Sequence, residues 1–328
     1  MALIENEGVA FDFGSYRDAP PGIRSTDPRI ARGRGYRRDD PGRLSSPQIF
    51  KILMNNIIKA ILLSLIASFC AVLMDVFLKY AQSDTNVYTV GFIRFLIGFL
   101  IIFPYISFKK FAVYKSKNLK LHITRAVLNV PMMILGFSSL VYIPLEQIKA
   151  ISFLSPIIVV VLSVFILKEK IYFIRIFALL IGFIGVILII RPGIIHINTG
   201  VYMVLGSCLI WSIIIIVTKF LSKDDSPITI LTYQYSLVTI LAFPLAVFFW
   251  QTPSIISLVY IFFAALSGTI LHLCLNQSYK LADLSIIQPI WFTGLIFGSF
   301  FGYYLFNEKP DIYTWIGGSI IFSSVLII

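Results

Sequence analysis

The sequence predicts an all-α integral membrane protein of about ten transmembrane helices, arranged as two inverted repeats of five helices with both termini in the cytoplasm. Three observations support this fold class: the composition, a series of long apolar segments, and an internal repeat. Apolar residues make up 58% of the 328 residues and charged residues 13%, and the mean hydropathy is +0.89. A soluble domain carries about 25% charged residues, so this chain has too few charges to cover a soluble globule.

Apolar segments long enough to cross a bilayer follow one another along most of the chain. A helix needs about 20 such residues to span the hydrocarbon core, whereas the strands of a membrane barrel would alternate in polarity. We predict helices at residues 57–80, 87–107, 123–142, 145–167, 173–190, 199–219, 228–250, 256–278, 284–306 and 312–328.

Basic residues orient these predicted helices. Lys and Arg collect in cytoplasmic loops, and with a cytoplasmic N-terminus most of them fall inside. The inner set comprises Lys109, Lys110, Lys115, Lys117, Lys120, Lys168, Lys170, Arg175, Lys219, Lys223 and Lys280. Only Arg191, Lys309 and Lys79 lie on or near the outer side. The net charge of +11 is explained by these loops, so we expect no nucleic-acid partner.

Residues 1–50 form a segment of different composition, with eight Arg, no Lys and seven acidic residues. The segment has no long apolar run, so it is not a secretory signal peptide. Its content of Pro, Gly and charge predicts a disordered, dispensable extension. A regulatory or RNA-binding tail is the alternative.

An internal repeat divides the rest into halves at 56–193 and 198–328. Lys79 and Pro104 are 25 residues apart, as are Lys219 and Pro244. At an offset of 139, Leu167-Lys168-Glu169-Lys170 aligns with Phe306-Asn307-Glu308-Lys309. Because five is odd, the second half must enter the membrane from the opposite side, and such inverted repeats bind substrate at the midplane between them. The repeat extends to the last residue, so we expect no further soluble domain.

Several motifs occur in the order typical of one transporter family. They are Phe92-Ile93-Arg94-Phe95, Ser155-Pro156, the acids Glu169 and Glu308, Gly182-x-x-Gly185-Val186 and Arg191-Pro192-Gly193. Over residues 56–328 the chain resembles EamA-type transporters of the drug/metabolite transporter superfamily. One departure is that Lys168 and Asn307 precede the two acids, where the family commonly has Gly. Asp75-Val76-x-x-Lys79-Tyr80 and His122-x-x-Arg125 resemble the S-adenosylmethionine uptake branch of intracellular bacteria.

This resemblance implies a secondary transporter that moves a small organic metabolite across the bacterial inner membrane by alternating access, with S-adenosylmethionine uptake as one candidate. An exporter of amino acids, drugs or other metabolites is an alternative, and a channel or a membrane assembly protein is an alternative of another class. No protease motif is present among the three histidines, so we expect no enzyme, cofactor or metal. The expected partners are the substrate and the lipid bilayer, and a homodimer stays open.

Ionisable residues inside a membrane cost about 2.5 kcal/mol or more each at a helix centre, so each one needs a reason. Asp75 aligns with apolar Ile215. It is either a cation or proton site or the partner of Lys79, one turn away. Lys149 likewise either pairs with Glu146 at the rim or contacts a substrate carboxylate.

Polar residues recur at two mirrored positions of the repeat. Arg94 aligns with Gln234, and Lys149 aligns with Gln288. Both glutamines are therefore candidate site residues. For Arg94 itself the structural alternative is hydrogen bonding to carbonyls of neighbouring helices.

Aromatic residues complete the candidate site. Trp211, Trp291, Tyr233 and Tyr235 are candidates for stacking on a flat or cationic ligand, although aromatic residues in membrane helices more often pack or lie at the interface. His272 and Asn276 share a helix face at i and i+4, and we interpret them as hydrogen-bonding groups between helices rather than as metal ligands.

Overall fold

The fold is described from a computed structural model, which covers residues 46–152, 154–168, 172–190, 198–308 and 312–326. Contacts divide the chain into residues 1–48 and 49–328, and the description here concerns the second unit. Residues 1–45 of the predicted disordered extension lie outside the described ranges. So do Glu169, Arg191-Pro192-Gly193 and Lys309 of the sequence motifs, and His196.

All regular structure in the described residues is helical, which confirms the all-α class. The α-helices are α1 Ser46–Ala81, α2 Val87–Phe108, α3 Leu119–Tyr142, α4 Leu145–Ser152, α5 Leu154–Leu162, α6 Phe173–Ile190, α7 Thr199–Asp224, α8 Pro227–Phe248, α9 Ile255–Leu281, α10 Leu284–Ile287, α11 Thr293–Phe306 and α12 Ile312–Leu326. Short 3₁₀ segments cover Ala112–Tyr114 and Gln288–Phe292, and a π-helical turn covers Ser163–Leu167.

Polar caps fix where several of these helices begin. The side chains of Asn86, Asn198, Ser226 and Ser254 each accept a hydrogen bond from the backbone N–H three residues later. Such caps satisfy amide groups that the first turn leaves without partners. The observed helices therefore start within about one or two residues of the predicted positions, except α1 and α3, which begin earlier.

Eight helical spans are long and apolar enough to cross a membrane, counted over the described residues. Two of these spans contain an irregular turn. The span Leu145–Leu167 ends in the π-helical turn Ser163–Leu167, and the span Leu284–Phe306 contains the 3₁₀ segment between α10 and α11. Pro289 explains the 3₁₀ segment, because proline has no N–H to donate and its ring clashes with the carbonyl four residues earlier.

The sequence halves interlock through paired helices. α2 packs on α8, α3 on α7, and α6 on α12. The α2–α8 contact is close because Gly98 faces the buried ring of Tyr235: a Cβ on Gly98 would lie 2.6 Å from Cε2 of that ring. The contact between the halves is therefore a packed apolar surface, and the helices that form it also carry the site residues.

Lys168 and Asn307 explain the departure from the family pattern. Both residues have φ near 56°, in the left-handed region, and each follows the last turn of a helical span. Glycine adopts this conformation at helix C-termini without a steric cost, whereas Lys and Asn adopt it with some strain. The backbone turn is thus kept although the side chain differs.

Candidate functional site

A cavity lined by residues of both halves contains about 190 Å³ open to water-sized molecules. Seven of the site residues predicted from the sequence line this cavity: Asp75, Arg94, Lys149, Trp211, His272, Gln288 and Trp291. Other lining residues are Ser68, Met74, Asn129, Met132, Met133, Ser155, Ser207 and Cys208. The spans Leu145–Leu167 and Leu284–Phe306 both contribute to the wall, and the 3₁₀ segment of the second span is a helix discontinuity of the kind that forms transporter binding sites.

Asp75 forms an ion pair inside this cavity. Lys149 Nζ donates to Asp75 Oδ2 at 2.5 Å, and the side chains are 14% and 15% exposed. The local pairs considered from the sequence, Asp75 with Lys79 and Lys149 with Glu146, are therefore not the ones seen for Asp75 and Lys149. Helix packing brings α1 and α4 together, so Asp75 pairs with Lys149, 74 residues away in the sequence, rather than with Lys79 on its own helix.

Arg94 lies on α2 with its guanidinium buried against the cavity. Its Nη2 contacts Sδ of Met74 at 3.1 Å, and its Cζ lies 4.3 Å from the centre of the Phe95 ring. Nε has no hydrogen-bond partner. The expected bonds to carbonyls of neighbouring helices are not among its described contacts, because the side chain points at a thioether and aromatic faces instead.

Aromatic and polar groups of the second half form the opposite wall. The ring centres of Trp211 and His272 lie 6.2 Å apart, and Nε1 of Trp291 is buried without a hydrogen-bond partner.

Asn129, on α3, is fully buried with both side-chain polar atoms unpartnered. The sequence interpretation missed Asn129, although an amide in the middle of an apolar helix is a usable signal.

Four predicted site residues lie outside the cavity lining. One of them is Tyr235, whose ring faces Gly98. Tyr233 stacks on His122 with ring centres 4.1 Å apart, and its hydroxyl donates to the carbonyl of Tyr114. Gln234 lies behind the cavity, where its Nε2 is 3.4 Å from Nε2 of His272. Asn276 Nδ2 donates to the carbonyl of Pro227 at 3.4 Å, which agrees with an interhelical hydrogen-bonding role.

A second ion pair lies at the end of the bundle that contains the α1–α2 connection, here called the Asp84 end. Lys79 Nζ donates to Glu308 Oε1 at 2.6 Å, and the backbone N–H of Leu145 donates to Glu308 Oε2 at 3.1 Å. Glu308 therefore joins the end of α1, the start of α4 and the end of α11. These contacts lie one turn beyond Asp75 along α1.

Asp84 itself links the connection α1–α2 to the start of α9. Hydrogen bonds from the Ser254 and Ser257 hydroxyls lower the pKa of the Asp84 carboxyl to about 2; the Ser257 bond is 2.6 Å long. A depressed carboxyl pKa contributes stability above its usual value and loses it only as the pH falls through the lowered value. This link between connections therefore persists at every physiological pH.

Cys70, Cys208 and Cys274 are free thiols. Within the described residues no three His, Cys, Asp or Glu side chains come together as a metal site. The chemistry that the cavity offers is therefore ion pairing, hydrogen bonding and contact with aromatic rings.

Comparisons with known proteins agree with this geometry. The EamA-like transporter family matches the chain twice, over residues 58–191 and 198–328. The S-adenosylmethionine uptake transporter of Rickettsia bellii (strain RML369-C) is 28% identical over 272 residues, which are 81% of this chain and 91% of that protein. The riboflavin transporter of Vibrio cholerae serotype O1 is 28% identical over 245 residues, 73% of this chain and 82% of that protein.

A solved crystal structure is similar in fold, with a TM-score of 0.67 and 12% sequence identity, over 83% of this chain and 97% of the solved one. At that identity the similarity concerns the fold alone. The two matches to one family, the helical spans and the relatives together confirm the resemblance found in the sequence motifs. The chain belongs to the EamA-like transporter family and is a multi-pass membrane transporter.

Proposed function

We propose that this transporter takes up S-adenosylmethionine across the bacterial inner membrane by alternating access. One observation carries the proposal: the same cavity presents a carboxylate, Asp75, and the indole groups of Trp211 and Trp291. S-adenosylmethionine combines a sulfonium cation with a flat adenine. A buried carboxylate attracts the cation, and an indole face attracts both cations and flat rings.

The shape of the bundle supports a mechanism in which the halves move around the cavity. The π-helical turn Ser163–Leu167 and the 3₁₀ segment Gln288–Phe292 provide two places where helix segments can change direction. The Lys79–Glu308 pair links the end of α1 to the end of α11 at the Asp84 end, and we propose that access from that side requires this pair to separate. Alternation then exposes Asp75 to each side in turn.

We further propose ten spans, with α6 and α12 as the fifth helix of each half, and both termini in the cytoplasm. This arrangement predicts that a reporter fused after Ile328 is cytoplasmic and that one inserted near His196 is external. Alkaline phosphatase and green fluorescent protein fusions measure the two locations, with a fusion in the Lys-rich segment 109–117 as the cytoplasmic control. Finding the Ile328 and His196 reporters on the same side would contradict the inverted repeat.

Proteoliposomes containing the purified protein test the substrate. We expect saturable uptake of labelled S-adenosylmethionine, inhibited by the unlabelled compound and unaffected by riboflavin, because riboflavin has no cation to contact Asp75. Liposomes without protein are the control. Riboflavin uptake with no response to S-adenosylmethionine would contradict the proposed substrate. Release of S-adenosylmethionine from preloaded vesicles in which the cytoplasmic face of the protein points inward, without any uptake, would indicate an exporter.

A further inference from the structure

The charges of the cavity do not balance. Among the described lining residues, the formally charged side chains are Asp75, Arg94 and Lys149. Asp75 is bonded to Lys149 and acts on Arg94 only through space, so these three side chains carry a net charge of +1, and no described carboxylate forms an ion pair with the guanidinium. An unpaired cation buried in a membrane protein is costly, so a group that supplies negative charge at this point would stabilise it.

The immediate surroundings of Arg94 supply almost no hydrogen-bond acceptors. A guanidinium has five N–H donors, yet the described acceptor for Arg94 is the Met74 thioether, which is a weak one. The side chain is 2% exposed, and its Nε is buried without a partner. The cavity wall thus contains N–H donors of Arg94 that have no strong acceptor.

Gly268 on α9 provides the space that the guanidinium occupies. A Cβ at that position would lie 2.2 Å from Nη2 of Arg94, so even alanine would push the guanidinium away. The Phe95 ring on the other side limits its movement. The first half supplies the cation and the second half supplies the gap, which fixes the guanidinium at the junction between them.

Arg125 shows what a purely structural buried arginine looks like in the same protein. Its Nε donates to Thr218 Oγ1 at 2.8 Å and its Nη1 donates to the carbonyl of Ile230 at 3.4 Å. Arg125 is equally buried but does not line the cavity. Its donors are used within the protein, whereas those of Arg94 are available to a ligand.

We infer that Arg94 is the subsite for a carboxylate of the transported molecule, and that the substrate class is amino acids and their derivatives. The inference rests on the proposed function, which it deepens by orienting the substrate. The substrate carboxylate lies against Arg94 with two parallel N–H···O bonds, and the cationic part competes with Lys149 for Asp75. The unpartnered amide of Asn129 in the same cavity serves the polar atoms between those ends.

Pairs of ligands that differ only by the carboxylate test this subsite. The pairs are S-adenosylmethionine with its decarboxylated form, and L-methionine with 3-methylthiopropylamine. Binding is measured as thermal stabilisation of the purified protein and, for the first pair, as competition with labelled uptake. In the wild type we expect the carboxylated member to bind about 10- to 100-fold more tightly, as a charge-assisted hydrogen bond of about 1.5–3 kcal/mol implies.

Arg94→Gln introduces the residue found at the aligned position 234 and should remove this preference, so that both members of a pair bind alike. Arg94→Lys should retain part of it. Gly268→Ala, which displaces the guanidinium, should weaken the carboxylated member alone. Arg125→Gln is the matched control: it should lower thermal stability and leave the preference intact.

The outcomes separate the subsite from the proposed substrate. A carboxylate preference for methionine that Arg94→Gln removes supports the subsite even if S-adenosylmethionine is not transported. Persistence of the preference in Arg94→Gln, or a wild type that does not distinguish the members of either pair, overturns the inference while S-adenosylmethionine uptake stands or falls by its own assay.

Discussion

Replacing Asp75 with asparagine should abolish or strongly slow transport while leaving the amount of protein in the membrane unchanged. Asparagine keeps the shape of the side chain and removes its charge. Lys149, whose Nζ lies 2.5 Å from Asp75 Oδ2, then stays in the cavity as an unpaired cation and repels a cationic substrate. Initial uptake rates, normalised to membrane abundance by immunoblot, measure the effect.

The double variant Asp75→Asn with Lys149→Gln separates binding from structural support. If the ion pair only holds α1 and α4 together, a neutral hydrogen-bonded pair replaces it at little cost, as for many buried salt bridges, and the double variant should regain normal kinetics. If Asp75 contacts the substrate cation, the double variant should remain as slow as Asp75→Asn. Normal kinetics in either variant would exclude a charged site on α1.

Glu308→Gln should open the Asp84 end of the cavity. Glutamine can still accept the hydrogen bond from the Leu145 N–H, but it loses the ion pair with Lys79. The side chains of Lys79 and Glu308 are 21% and 14% exposed. A pair of intermediate burial is worth about 1–3 kcal/mol, between exposed and buried cases. Its loss should raise the population open at this end by about 5- to 150-fold.

Native Cys208 reports this opening, because it lines the cavity and is buried. With Cys70 and Cys274 replaced by alanine, a membrane-impermeant maleimide added to intact cells should label Cys208 faster in Glu308→Gln and in Lys79→Gln than in the parent. Asp224→Asn, which removes an exposed acid at the far end of α7, is the control. Equal labelling rates in all variants would show that the pair does not close the cavity.

Helix positions followed from the sequence because apolar length and caps are local properties. Apolar runs located the spans, and Asn86 and Ser226 fixed their beginnings. The 3₁₀ segment at Pro289 was not predicted, although proline is the direct cause. A proline bends some helices and interrupts others, as continuous α2 with Pro104 demonstrates, and the outcome depends on neighbouring helices that a single sequence does not reveal.

Residue type located much of the cavity lining, whereas residue partners needed the structure. Asp75, Arg94 and Lys149 were predicted as site residues because ionisable groups are costly in a membrane, and all three line the cavity. Spacing along one helix offered Lys79 as one of two alternatives for Asp75, since only neighbours at i and i+4 are visible in a sequence. Tyr233 had the right chemistry but lies on His122, because the direction of a side chain depends on the packing of its helix.

The distribution of charge between the halves bears on how this transporter evolved. Both halves match one family, which indicates duplication of an ancestral gene. Yet Asp75, Arg94 and Lys149 all belong to the first copy, while Ile215, Gln234 and Gln288 occupy the aligned positions of the second. The copies have diverged into a half that carries the charges of the cavity and a half that carries its indole groups. Selection for a new solute can therefore act on one copy while the other preserves the scaffold.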